Sequence, residues 1–214
     1  MKERPILFSG PMVNAIRDGR KTQTRRKVKP QPPFGCSYAA NGAMTHALCF
    51  ADGPGGTIAS WVPPTPKSAD HRLPCPYGQP GDRLWVKETF KLNANLAGIR
   101  VTYREGLHEC QVEFGSLPDS CQIPDDNHWR PSLFMPRWAS RILLEIAAVR
   151  VEWLQDISDT DAINEGVPDY PDFVGDSPVE DYRALWESIN GPGSWEANPW
   201  VWVIEFKVLE GGKR

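Results

Sequence analysis

No window of this 214-residue sequence holds a continuous apolar run of membrane-spanning length, and its N-terminus lacks the apolar core of a signal peptide. The expectation that follows is a cytoplasmic protein with no membrane contact. Cysteine is sparse and carries no pairing pattern. Cys36, Cys49, Cys75, Cys110 and Cys121 are an odd five with no Cys-x-x-Cys among them, which reads as reduced thiols. His46 stands three residues from Cys49 and His108 two from Cys110, but neither pair has a matching second half. No metal site and no cofactor are expected. No internal repeat is visible, so a solenoid is excluded.

Basic charge is also short overall. The net charge is −3 and the pI about 5.8, which argues against a high-affinity, sequence-blind duplex binder. The distribution is uneven: residues 1–30 balance at +7, residues 31–150 at zero and residues 151–214 at −10. Either the two ends pair or are solvated separately, or a basic N-terminal surface meets an anionic partner. A nucleoside or a single-stranded nucleic acid is compatible with that balance.

What the chain has in quantity is proline (21), glycine (18) and tryptophan (9), a profile of a β-rich fold with long loops. Pro5–Phe8 is a short apolar strand. Pro11–Arg17 is an amphipathic turn of helix that Pro11 opens and Gly19 closes. In the next stretch threonines alternate with long polar residues, the period of a strand. Thr22, Thr24 and Arg26 then share one face, and Lys21, Gln23, Arg25 and Lys27 the other. Residues 34–80 are rich in Gly, Pro, Ala and Ser, with part of a strand at Trp61–Val62. The Pro80-Gly81-Asp82 turn opens a half-buried strand over residues 83–90. A second irregular stretch follows, with one strand at Ile99–Arg104. Residues 142–154 form a long strand or two strands with a bend. A short helix spans Asp156–Gly166 with Ser158 as its N-cap, a further helix Pro178–Ile189, and an apolar strand closes the chain at Trp200–Leu209. The predicted class is α+β, mainly β: a small barrel with peripheral helices, because closing such a sheet hides its edges.

The spacing Gly19-x-Lys21-x-x-Thr24-x-Arg26 resembles the signature Gly-x-Lys-x-x-Thr-x-Arg of ASCH domains, whose barrel is PUA-like. Further landmarks fall in family order: Gly81-Asp82-x-Leu84-x-Val86, the helix ending in Glu165, and Val203-Ile204-Glu205-Phe206. Residues 6–9 (Ile-Leu-Phe-Ser), 85–88 (Trp-Val-Lys-Glu) and 135–141 (Met-Pro-Arg-Trp-Ala-Ser-Arg) resemble the larger members found in phages and prophages. The resemblance implies one domain over residues 1–214, with a core at about 4–30, 78–90 and 135–209, and insertions at about 31–77 and 91–130.

Similarity to compact bacterial members that hydrolyse N4-acetylcytidine implies a chemistry. By motif, the lysine and threonine of that chemistry map to Lys21 and Thr24, and its helix glutamate maps to Glu165. A threonine attacks an amide once a base takes its proton, and a lysine is such a base when burial or a neighbouring cation drives its pKa toward neutrality. Arg25 and Arg26 are nearby cations. Arg26 is suited to a ribose, a phosphate or the developing oxyanion. Glu88 is a second carboxylate candidate, and Trp85 and Trp138 are candidate stacking platforms for a base. Each residue also has an ordinary structural reading: threonine as a strand former, tryptophan as core, and Glu165 as a helix end. Three functions stay open: an amidohydrolase on an acylated pyrimidine nucleoside or base, a non-catalytic reader of RNA or modified nucleic acid, and a ribonuclease. The last lacks a paired His or carboxylate cluster in the matched motifs.

Overall fold

The computed structural model describes residues 1–29, 31, 37–38, 44–45, 75–95, 98–105, 109–118, 128–167 and 177–209. Its elements run β1 (Glu3–Leu7), α1 (Gly10–Arg17), β2 (Gln23–Lys27), β3 (Ser37–Tyr38), β4 (Met44–Thr45), β5 (Arg83–Lys87), β6 (Phe90–Asn95), β7 (Gly98–Tyr103), β8 (Glu109–Glu113), β9 (Leu143–Trp153), α2 (Asp159–Asn164), α3 (Pro178–Asn190) and β10 (Trp200–Val208). This is a mixed α/β chain made mostly of strands. It divides into two compact units: Met1–Thr22, Pro80–Ala147 and Phe206–Arg214 in the first, Gln23–Gln79 and Ala148–Glu205 in the second. The long strands β9 and β10 each contribute residues to both.

In the first unit β1 runs parallel to β5, with Ile6 opposite Val86, and β5 runs antiparallel to the start of β9, with Trp85 opposite Leu143. Period-two alternation buries Leu84, Val86, Leu144 and Ile146 on one side. Asp82, just ahead of β5, accepts hydrogen bonds from the backbone N–H of Lys2 (2.7 Å) and from Arg4 Nη1 (3.1 Å), which fixes where β1 starts. Helix α1 buries Val13, Ala15 and Ile16, and Gly19 at φ +75° provides the left-handed turn that ends it.

The stretch expected as a largely irregular insertion, residues 91–130, instead carries most of an antiparallel sheet, β6-β7-β8, with Leu92 opposite Val101 and Val101 opposite Cys110. Phe90, Leu92, Ile99, Val101 and Tyr103 form its core with Met135 and Ala139. The alternation was present but muted. The outward positions of β6 and β8 hold Lys91, Asn93, Glu109, Gln111 and Glu113, and asparagine, lysine and glutamate are poor strand formers. Gly98 is required here: a Cβ would meet the Val112 carbonyl oxygen at 2.1 Å.

In the second unit β2 pairs antiparallel with β10, Thr24 opposite Ile204 and Arg26 opposite Trp202. Helices α2 and α3 pack on each other around Leu154, Ile157, Ala162, Tyr182, Trp186 and Trp195, with Val201 and Val203 of β10. Ser158 caps α2 in a capping box with Asp161, and Gly166 at φ +90° follows its end. Ser177 caps α3, which Pro178 opens. Trp153 stacks on Trp200, with ring centroids 4.1 Å apart.

β3 and β4 pair antiparallel within residues 31–77. The strand expected at Trp61–Val62, together with His46, Cys49 and His108, lies outside the described residues. Within neither unit do the described strands close into a barrel. The first holds the open orders β1-β5-β9 and β6-β7-β8, and among the described residues β1 has β5 as its one partner strand. Among the described residues, no helix is long and apolar enough to cross a membrane.

Candidate functional site

Strand β2 pairs with β10 without a bulge, so its side chains alternate strictly. Gln23, Arg25 and Lys27 face the helical side. Gln23 Nε2 donates to the Asp161 carbonyl (2.9 Å) and to Asp161 Oδ1 (3.0 Å). The Arg25 guanidinium lies 5.9 Å from the Tyr182 ring centroid, and Lys27 Nζ lies 5.6 Å from that of Trp186. Thr24 and Arg26 share the opposite face.

Among the described residues of the second unit, charge gathers around Arg25. Its side chain is fully buried and ion-paired to three carboxylates: Glu165 (3.3 Å), Asp161 (3.3 Å) and Glu152, which sits closer still. Two of those are shared with Arg150, which bonds Glu152 at 3.0 Å and Asp161 at 3.3 Å and also reaches Glu205. Such a set is tolerable only because charges and hydrogen bonds compensate one another. Burial works against the charged form of Asp161, but hydrogen bonds from Gln23 and Ser158 and the charges of Arg25 and Arg150 outweigh it and hold its carboxyl below the ordinary range. Burial and then the Glu165 carboxylate push the Tyr182 hydroxyl well above its ordinary value.

Of the residues singled out in the sequence, the second unit brings Arg25 and Glu165 together. Glu165 is the C-cap of α2, where Gly166 turns the chain away and leaves its carboxylate facing inward. Withdrawn from solvent, Arg25 is a structural cation and not a surface for phosphate. Thr24 is 2% exposed and Arg26 partly buried. Lys21 belongs to the first unit and is 1% exposed. Its Nζ sits 5.6 Å from the Phe8 ring centroid, and its backbone N–H donates to the Ala15 carbonyl at 3.0 Å.

Also in the first unit, the Glu88 carboxylate is held by both arms of Arg141, Nε at 3.0 Å and Nη2 at 2.6 Å. Arg141 in turn lies 4.1 Å from the Tyr103 ring centroid and donates to the Glu105 carbonyl. Burial raises the Tyr103 hydroxyl pKa, and that hydroxyl donates to the Ala139 carbonyl at 2.8 Å. Trp138 is half-buried against the β6-β7-β8 core and shares a cavity wall with Arg141. Trp85 faces away from Leu84 and Val86, and Lys87 Nζ lies 5.3 Å from its ring centroid.

Sequence reasoning passed over Arg141, Arg150 and Glu152. Arg141 closes the 135–141 stretch that was singled out as a motif. Arg150 and Glu152 stand two apart on β9 and so share a face, in a strand whose other charged residue is Glu145. Among the described residues, no group of three or more His, Cys, Asp or Glu side chains is arranged to hold a metal. No protein-family model, curated protein or solved structure matches the chain.

Proposed function

We propose that this protein is an amidohydrolase of the ASCH class, with a fold of the PUA-like kind, that removes an acyl group from N4-acylated cytidine or a related modified base in a bacterial cytoplasm. One observation carries the reading: Lys21, Thr24 and Glu165, the three residues the motif resemblance assigns to catalysis, are each no more than 2% exposed. Glu165 is already paired with Arg25, so the weight falls on Lys21, since lysine is rarely buried this deeply. A lysine base also needs an amine withdrawn from water, because desolvation is what favours its neutral form.

By the motif resemblance, Thr24 supplies the hydroxyl that attacks the acyl carbon and Lys21 the amine that accepts its proton. The C–N bond then breaks, the exocyclic amine leaves with that proton, and water hydrolyses the acyl-threonine ester. Glu165 positions the amine or relays the proton.

Incubation with N4-acetylcytidine tests this. The expected products are cytidine and acetate in equal amounts. Thr24→Ala is expected to abolish turnover, and Lys21→Met to reduce it by at least about 100-fold. Absence of cytidine at stoichiometric enzyme overturns the reading.

A second reading, a non-catalytic binder of single-stranded RNA, is favoured by two lysine–tryptophan pairs of the first unit. Lys87 lies over Trp85, and Lys91 lies over Trp129 at 5.4 Å. Stacking surfaces beside cations suit bases and phosphates. This reading predicts salt-sensitive binding without turnover, lost in Lys87→Ala with Lys91→Ala. Undiminished binding by that double variant eliminates it.

A further inference from the structure

The two units differ in charge. The first carries sixteen basic residues against twelve acidic, the second eight against fifteen. In the first unit basic charge and apolar surface meet on one face. Phe90 and Arg130 exchange backbone hydrogen bonds at 3.2 and 2.7 Å, which lays the chain around residue 130 along the start of β6. Lys87 Nζ donates to the Leu133 carbonyl at 2.6 Å, and Lys91 Nζ lies 5.4 Å from the Trp129 ring centroid. Residues 128–134 hold no acid, and Glu88 is engaged by Arg141. Among the described residues, neither lysine pairs with a carboxylate.

Beside them stand Leu133, 61% exposed, and Phe134, 68% exposed; of the large apolar side chains described, only Met1 is more exposed. A 3-10 turn over Ser132–Phe134, set between Pro131 and Pro136, holds both out. Large apolar groups fixed in water beside unpaired cations mark an interaction surface. An identical face from a second copy would set lysine against lysine. A nucleic-acid strand would use the lysines and indoles but find no stacking face on Leu133. The complement lies in the chain's own second unit. There Trp153 is 38% exposed, and Asp156 and Asp159 follow on exposed positions, with no ion pair among the described residues. Residues 151–182 contain no lysine or arginine.

We propose that this face of the first unit is an association surface for a second copy of the chain, which docks through residues 153–159 of its second unit. Lys87 and Lys91 meet Asp156 and Asp159, and Leu133 and Phe134 cover Trp153. Charge then steers the encounter, and apolar burial holds it. The surface uses none of Lys21, Thr24 and Glu165 and stands independently of the hydrolytic reading. It competes with the RNA-binding reading for Lys87 and Lys91.

Sedimentation equilibrium of the full chain, with and without decauridylate, tests it. At about 0.1 mM the chain is expected to exceed monomer mass, with a dissociation constant at least about tenfold weaker at about 0.5 M salt than at about 0.05 M. Leu133→Ser with Phe134→Ser is expected to weaken association at least about tenfold at either salt. Lys87→Glu with Lys91→Glu, and separately Asp156→Lys with Asp159→Lys, are each expected to leave a monomer with native circular dichroism. An equimolar mixture of those two variants is expected to associate again, because the reversed charges match. A monomer at about 0.05 M salt, undiminished association in the Leu133 and Phe134 variant, or a mixture no more associated than its parts overturns the proposal. A monomeric chain that binds decauridylate, and loses it in the Lys87 and Lys91 variant, overturns it in favour of RNA.

Discussion

Two buried arginines, one in each unit, are handled in opposite ways. Arg141 meets one carboxylate, Glu88, in a bidentate pair and is backed by the Tyr103 ring. Arg25 meets three, Glu165, Asp161 and Glu152, and two of those are shared with Arg150. The first arrangement is a closed pair whose parts satisfy each other. The second is an open network in which each charge depends on several others, so loss of the centre strands more than one partner.

That contrast predicts an order of effects. Arg25→Met is expected to be the most damaging, at about 3–5 kcal/mol in denaturant unfolding, because it leaves buried carboxylates uncompensated. A loss below about 1 kcal/mol would show that the network is dispensable. Glu88→Gln is expected to cost less, about 2–3 kcal/mol, since the amide keeps one carbonyl acceptor for Arg141 while its NH2 replaces the second acceptor and the charge is lost. If it equals Arg25→Met, pair and network do not differ.

The network also predicts a pH dependence. The folded-state pKa of Asp161 is lowered, so its stabilisation is fully present above the ordinary carboxyl value of 3.8 and is lost as pH falls through the lower folded value. Asp161→Asn is therefore expected to lower the melting temperature at neutral pH, with the gap to the unsubstituted chain closing only below pH 3.8. A constant gap down to lower pH would assign the loss to packing.

The smallest effect is expected at Arg137→Ala. The Arg137–Glu3 pair is 44% and 37% exposed, and pairs of that kind contribute about 0–1 kcal/mol. Its clearest signature is the Glu3 carboxyl, which the Arg137 hydrogen bond holds below its ordinary value. That value is expected to rise in the variant when followed by NMR titration.

Local chemistry was legible in the sequence, and long-range pairing was not. Pro11 and Gly19 bracket α1, Ser158 and Gly166 bracket α2, and the alternation of Thr22 and Thr24 with long polar residues falls on the strand Gln23–Lys27, because each signal lies within a few residues. The β6-β7-β8 sheet was largely missed since its outer face carries asparagine, lysine and glutamate, so only β7 stood out. Arg25, Glu88 and Glu165 could be named as candidates from motif spacing. Their partners could not, because Arg25 reaches Glu165 across 140 positions and Arg141 reaches Glu88 across 53. Periodicity says that a residue faces inward, but not which charge it will meet there.

The stacked indoles of Trp153 and Trp200, 4.1 Å apart and inclined by 29°, have an optical consequence. Two transition dipoles this close exchange excitation, and their circular dichroism then carries a coupled band that vanishes once the rings separate. Both indoles belong to the second unit. The chain therefore contains a spectroscopic reporter that follows the opening of that unit alone, with no label added.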